Sequence, residues 1–232
     1  MTSLSLILAL VSPAFAETSF QDLFDGKGLE GWVIEGTEMD KAGVPVWSVK
    51  EGHIRCAGSG GGFLRFDRQQ FSDFTLRVEY RFAAPPANVA KPKVGNSGIG
   101  IRTAIYDVKK AAETRPSYYS YEVQLLDDAG KEPNAHGTGS LYRYKAPTAN
   151  PVKAAPEWNA IEITCVGPKI RIAVNGHEIL DADQREIPDL DKGKPKGVAA
   201  PKDKPLKGYI SLQNHGSTIE FRKVQVKDLT KG

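Results

Sequence analysis

WNAIEITCVGPKIRIAVNGHEILD, residues Trp158–Asp181, reads as three strands joined by two turns. Ile161, Ile163 and Cys165 alternate with polar positions, and so do Ile170, Ile172 and Val174. That period of two is the mark of half-buried strand. Val166-Gly167-Pro168-Lys169 supplies one turn. Asn175-Gly176 supplies the other, because this pair tolerates the positive φ that a two-residue hairpin demands. The segment is therefore an antiparallel meander with Trp158 at its start.

Outward from the meander the same pattern recurs. Strands are expected at Val46–Val49, His53–Ala57, Gly62–Phe66, Phe74–Phe82, Gly98–Thr103, Tyr121–Leu126, Gly139–Tyr144, Gly208–Gln213 and Thr218–Lys227. Long apolar stretches of helical period are scarce, and Gly and Pro punctuate the chain throughout. Many short strands separated by turns predict an all-β fold. With about a dozen strands, two packed sheets are more economical than one large curled sheet. Ala83–Gly95 and Ala104–Ser120 read as loops on one domain, the second with room for a helical turn or two at Val108–Thr114.

The first sixteen residues stand apart. Leu4–Val11 is a short apolar run, and Ala14-Phe15-Ala16 is a small-x-small cleavage site before Glu17. These are the marks of a signal peptide over 1–16, followed by a single domain over 17–232 and export to the periplasm or beyond. Met1–Ser5 lacks the usual Lys or Arg, and an apolar first strand is the alternative reading. The run is too short to span a bilayer. The chain of 232 residues carries a net charge of +3. Ile187–Lys207 holds six Lys against three Asp, with four Pro, and reads as an extended solvated loop. Clustered Arg with aromatics, or a basic amphipathic helix, is missing, which argues against nucleic-acid and membrane partners. Cys56 and Cys165 each fall on the apolar face of a strand-like run, so two buried thiols are favoured over a disulfide.

Three polar strings interrupt this apolar scheme: NSGIGIR (Asn96–Arg102), YEVQLLD (Tyr121–Asp127) and SLQNHG (Ser211–Gly216). Strand parity puts Asn96 and Arg102 opposite Ile99 and Ile101, Glu122 and Gln124 opposite Val123 and Leu125, and Gln213 and His215 opposite Leu212. Carboxylate, imidazole, guanidinium and amides on one sheet face suit a polyol better than an ordinary solvated face, which is richer in Lys, Thr and Ser.

These strings and their order make the chain resemble the 3-keto-disaccharide hydrolase domain family. FQDLFDGKGLEGW (Phe20–Trp32) is similar to the family's opening, NSGIGIR to its Asn-Ser-Gly-x-x-x-Arg strand and YEVQLLDD to its Glu-x-Gln-x-x-Asp strand. TGSLY (Thr138–Tyr142), EWN (Glu157–Asn159), VNG (Val174–Gly176) and GYISLQNHGSTIEFRKVQVKDL (Gly208–Leu229) follow in order. Asn214 and Lys223 depart from the residues common at their places, Asp and Asn. The resemblance implies a concanavalin A-like β-sandwich with its site on a concave sheet. It also implies cleavage of a small carbohydrate, a glycoside already oxidised to a ketone at sugar carbon 3.

Such chemistry needs a base for the acidified hydrogen on carbon 2, and charge stabilisation at the enolate oxygen. Glu122 or His215 fits the base and Arg102 the stabiliser, while Asn96, Gln124, Gln213 and Tyr142 fit the sugar hydroxyls. A divalent metal on Glu122, Asp127 and His215 is a further option, though no tight metal motif is present. Two other readings stay open. A conventional glycosidase needs a second carboxylate about 5–10 Å from the first, and a carbohydrate-binding module needs no base. Trp32, Trp47 and Trp158 are expected in the core rather than as sugar platforms.

Overall fold

The computed structural model describes residues 19–84, 94–105, 116–119, 121–190 and 198–231. The leader, its cleavage site and the helical turns expected at Val108–Thr114 lie outside the described residues. The strands run β1 (Gln21–Asp22), β2 (Trp32–Gly36), β3 (Trp47–Lys50), β4 (His53–Cys56), β5 (Gly62–Phe71), β6 (Phe74–Phe82) and β7 (Asn96–Thr103). After a single helical turn, α1 (Pro116–Tyr119), come β8 (Tyr121–Leu126), β9 (Asn159–Val166), β10 (Lys169–Val174), β11 (His177–Asp183), β12 (Gly208–Asn214) and β13 (Ile219–Asp228).

They form two antiparallel sheets. One has the order β11-β10-β9-β6-β13-β4-β3, with β1 also on β13, and the other β2-β5-β12-β7-β8. The meander is β9-β10-β11, and both turn residues, Asn175 and Gly176, have positive φ (49° and 82°) as the hairpin requires. The apolar parity of every long strand points between the sheets. Ile99, Ile101, Val123, Leu125, Ile210 and Leu212 from one sheet meet Leu76, Val78, Ile163, Ile172, Phe221 and Val226 from the other, all at 0–1% exposure. Cys56 and Cys165 are free and buried in this core, as their parity predicts. Burial pushes their thiols up to about 11 and about 12.

Three expectations change. Gly139–Tyr144 is a series of turns with isolated bridges at Leu141, and this segment lies along the free edge of β8. It is held by Asp128, whose carboxylate accepts from the Thr138 amide (2.9 Å) and hydroxyl (2.7 Å). The strand β2 is an addition to those expected: Trp32–Gly36 is short, yet it is β-rich and framed by Gly31 and Gly36, both at positive φ. The Lys-rich loop is not solvated throughout. A 3-10 turn at Pro201–Asp203 brings Pro201 and Lys204 into burial, Tyr121 donates its hydroxyl to the Pro201 carbonyl, and Gln184 donates to the Lys204 carbonyl at 2.6 Å. Residues 191–197 of that loop lie outside the described part. Among the described residues no helix is long and apolar enough to cross a membrane.

Candidate active site

The five-stranded sheet buries one face against the core and presents the other outward. Its register lines the outward residues into two cross-strand rows. The first is Val33, Arg65, Ser211, Gly100 and Glu122, on β2, β5, β12, β7 and β8 in turn. The second is Glu35, Phe63, Gln213, Gly98 and Gln124. The two glycines of NSGIGIR thus fall side by side on β7. With no side chains there, the β7 backbone floors a trough between the polar groups of β12 and those of β8.

Glu122 sits in this trough at 7% exposure. Its Oε1 accepts from Gln213 Nε2 at 2.8 Å. Burial is the dominant influence and pushes the carboxyl up to about 7, and the Gln213 hydrogen bond opposes only part of that rise. A group with such a pKa both takes and gives protons near neutrality. The space is close-fitting, since a Cβ added at Gly98 would lie 3.1 Å from Glu122 Cγ and Oε1 and 3.3 Å from Gln213 Oε1. The buried amide oxygens Gln124 Oε1 and Gln213 Oε1 receive no hydrogen bond from the described residues. Unmade buried hydrogen bonds are costly, and both of these orphan acceptors lie beside the Glu122 carboxyl.

The other residues arrange around this centre. Gln124 Nε2 donates to Asn96 Oδ1 at 3.1 Å, so these two amides form one polar wall. The Tyr142 amide donates to the Glu122 carbonyl at 2.9 Å, which sets Tyr142 on the β8 edge beside Glu122. Its ring packs edge-on against His136, with centroids 5.2 Å apart. His215 is exposed on the β12–β13 turn, beyond the end of β12. Asn214 closes that turn by accepting from the Gly216 amide at 3.1 Å. Ser217 Oγ accepts from the Asn96 amide at 2.9 Å, so the turn stands at the Asn96 end of the trough. Trp32 and Trp47 are core residues, whereas Trp158 is half-buried between the guanidinium groups of Arg81 (4.6 Å) and Arg222 (4.0 Å) on the other sheet.

A family model described as the 3-keto-alpha-glucoside-1,2-lyase-like domain matches residues 19–227. The chain belongs to this family. It is also similar to a 3-keto-disaccharide hydrolase of Bacteroides thetaiotaomicron, at 27% identity over 89% of this chain and 77% of that protein. A putative glycosyl hydrolase from Parabacteroides distasonis shares the fold at 22% identity and a TM-score of 0.66, covering 91% of this chain and 95% of that one. The carbohydrate-binding module CBM66 of Bacillus subtilis shares it more distantly, at 13% identity and a TM-score of 0.52, covering 85% and 95%.

In this member of the 3-keto-alpha-glucoside-1,2-lyase-like family, the arginine of the NSGIGIR strand does not join Glu122. Arg102 has a φ of 53°, and the pairing of β7 with β12 shifts there, so two β7 residues oppose one on β12. Such a bulge breaks the alternation and re-aims the side chain. The Arg102 guanidinium donates to the carbonyls of Ser72 (3.1 Å) and Gly167 (2.5 Å) and to Gln184 Oε1 (3.3 Å). It ties the turns β5–β6 and β9–β10 to β7. Arg102 is held at these turns and makes no ion pair with Glu122.

The metal set is not assembled either. Asp127 follows the core parity of β8 and accepts from the Ala155 amide at 3.0 Å, away from Glu122. Among the described residues, no three His, Cys, Asp or Glu come together to hold a metal.

The guanidinium that does share the Glu122 face is Arg65, in the same cross-strand row. It donates to Glu35 at 2.7 Å and to Asp67, and lies 4.4 Å over the Tyr209 ring. The signal was present in Phe63, Arg65 and Asp67, which alternate with the core residues Leu64 and Phe66.

Proposed function

We propose that this chain is an exported enzyme that cleaves glycosides already oxidised to a ketone at sugar carbon 3, with Glu122 as the base. The observation that carries the proposal is the Glu122 carboxyl itself. It is buried on the outward face of the sheet, raised to about 7 by that burial, and set among amides with free acceptors. A structural carboxylate in a sheet is more economically exposed or ion-paired, and Glu122 instead meets a neutral amide.

The chemistry follows from these groups. The ketone acidifies the hydrogen on carbon 2. Glu122 as carboxylate takes that proton, and the C–H electrons pass into an enolate. The enolate re-forms the ketone as a double bond grows between carbons 1 and 2 and the bond from carbon 1 to the leaving oxygen breaks. The leaving oxygen takes a proton, and Glu122, protonated in the first step, is the group placed to return it. The products are an unsaturated keto sugar and an alcohol. Addition of one water across the new double bond completes a net hydrolysis. Asn96, Gln124, Gln213 and Tyr142 hold the hydroxyls that orient the ring.

A conventional glycosidase is less well supported. The other carboxylates on this face, Glu35 and Asp67, are both engaged by Arg65 on the far side of the trough. The relative's name supports a hydrolase acting on keto-disaccharides, and the leader-like segment supports export.

Incubation with a plain disaccharide and with its 3-keto derivative tests the proposal. Cleavage of the keto sugar alone is expected. Equal cleavage of both would point to an ordinary glycosidase, and cleavage of neither to a binding module.

A further inference from the structure

The outward face of the five-stranded sheet does not end at the trough. Along β12 the residues of the same parity are Gln213, Ser211 and Tyr209. From Glu122, Tyr209 lies two strands across and two residues along, about 12 Å away by ordinary strand spacing and rise. There a second depression opens, of about 480 Å³, bordered by Asp67, Arg68, Gln69, Lys207, Tyr209, Asp228 and Thr230. An aromatic ring, carboxylates, an amide, a guanidinium, an ammonium and a hydroxyl are the mixture that recognises a sugar ring. The ring offers an apolar face to the C–H surface, and the polar groups meet hydroxyls that both donate and accept.

Arg65 makes this depression a built feature rather than a surface accident. Its side chain is 5% exposed, although it stands on the face turned away from the core. Ion pairs buried this far gain little stability over apolar replacements. Arg65 nevertheless fixes both groups at the mouth of the depression. It holds the exposed Asp67 carboxylate and covers the half-buried Tyr209 ring at 4.4 Å. Two carboxylates, Glu35 and Asp67, share this one cation. The lining of the depression itself carries both signs, Asp67 and Asp228 against Arg68 and Lys207. Glu122 and Arg65 share one row, and the orphan acceptors of Gln213 and Gln124 lie in the row beside it.

We propose that the depression at Asp67 and Tyr209 is a second sugar subsite. It binds the leaving-group ring of a glycoside whose oxidised ring lies at Glu122. The assignment of the two rings rests on the function proposed above. The trough and the depression together span a two-ring substrate, with the bond to be broken between them.

The test compares Tyr209→Ala and Asp67→Asn with the parent protein on two substrates, a 3-keto-disaccharide and the methyl 3-ketoglucoside. Both positions are partly exposed, so folding should survive, and thermal melts check that. The ratio of KM for the disaccharide to KM for the methyl glycoside should rise about 5–50-fold in each variant, the scale of one lost ring contact or hydrogen bond. Equal effects on both substrates, or none, would overturn the subsite. If the parent cleaves neither substrate, the proposed function fails while the subsite remains testable by calorimetric titration with maltose. Binding that weakens in Tyr209→Ala supports it. Unchanged binding, or none to the parent, refutes it.

Discussion

Gln213 Nε2 donates to Glu122 Oε1 at 2.8 Å, and the strip where they meet carries no side chain of its own because Gly98 and Gly100 supply it. The bond makes Glu122 an acceptor whether or not it is ionised, and it keeps the carboxyl in place through a reaction cycle. Replacing Glu122 by Gln preserves shape but removes the proton acceptor. Turnover of the 3-keto sugar should fall about 10²–10⁴-fold. Turnover within a few-fold of the parent would remove Glu122 from the base role.

The same substitution should stabilise the fold at alkaline pH. The folded carboxyl titrates at about 7, above its ordinary value of 4.5, so the folded state binds the proton more tightly than the unfolded one. Stability is therefore lost as pH rises from about 4.5 to about 7, by up to about 3 kcal/mol in all. Gln carries no such loss. Denaturant melts of Glu122→Gln and the parent should agree near pH 4 and favour the variant at pH 8. A variant less stable at pH 8 would contradict the raised pKa.

The pH profile follows from the same group. Ionised Glu122 is the active form of the base, so kcat/KM for the keto sugar should rise with pH and level off above about 7. A profile falling through that range would make Glu122 the acid instead.

Gly98→Ala tests the closeness of the trough. The added methyl would lie 3.1 Å from Glu122 Cγ and Oε1, so the carboxyl must shift by a few tenths of an ångström. Misplacement on the scale of 1 Å can cost about 10²-fold, so a loss of about tenfold in kcat with an intact fold is expected. Undiminished kcat would mean that the Glu122 position is not critical.

Arg102→Met should harm the fold rather than the chemistry. It strips donors from the Ser72 and Gly167 carbonyls and from Gln184 Oε1. A stability loss of about 2–5 kcal/mol is expected, with KM for the keto sugar near the parent value in the folded fraction. A large KM change in a stable variant would return Arg102 to the site.

Strand parity made much of this site legible. It put Glu122, Gln124, Gln213 and Asn96 on one face because β8, β12 and most of β7 keep an unbroken period of two. It failed at Arg102, where a positive φ and a bulge turn one residue out of register. Nothing in NSGIGIR announces that bulge, since the partner on β12 sets it. Arg65 and Glu35 were passed over for a different reason. Glu35 lies on β2, a strand outside those expected, and the alternation of Phe63, Arg65 and Asp67 with the core residues Leu64 and Phe66 gains its meaning only beside the outward face of β8 and β12. Tyr142, drawn to the sugar hydroxyls by the family resemblance, stands beside Glu122 on turns along a sheet edge, not on the strand expected for it.

Cys56 and Cys165 end far apart in the same eight-stranded sheet, on β4 near one edge and on β9 toward the other. Neither thiol meets water, and both stay protonated well past neutrality. Each is therefore silent to an alkylating reagent until its own part of the sheet opens. The chain carries a matched pair of internal clocks, whose labelling rates would tell whether the edge at β3–β4 frays before the meander or whether the sandwich comes apart as a single unit.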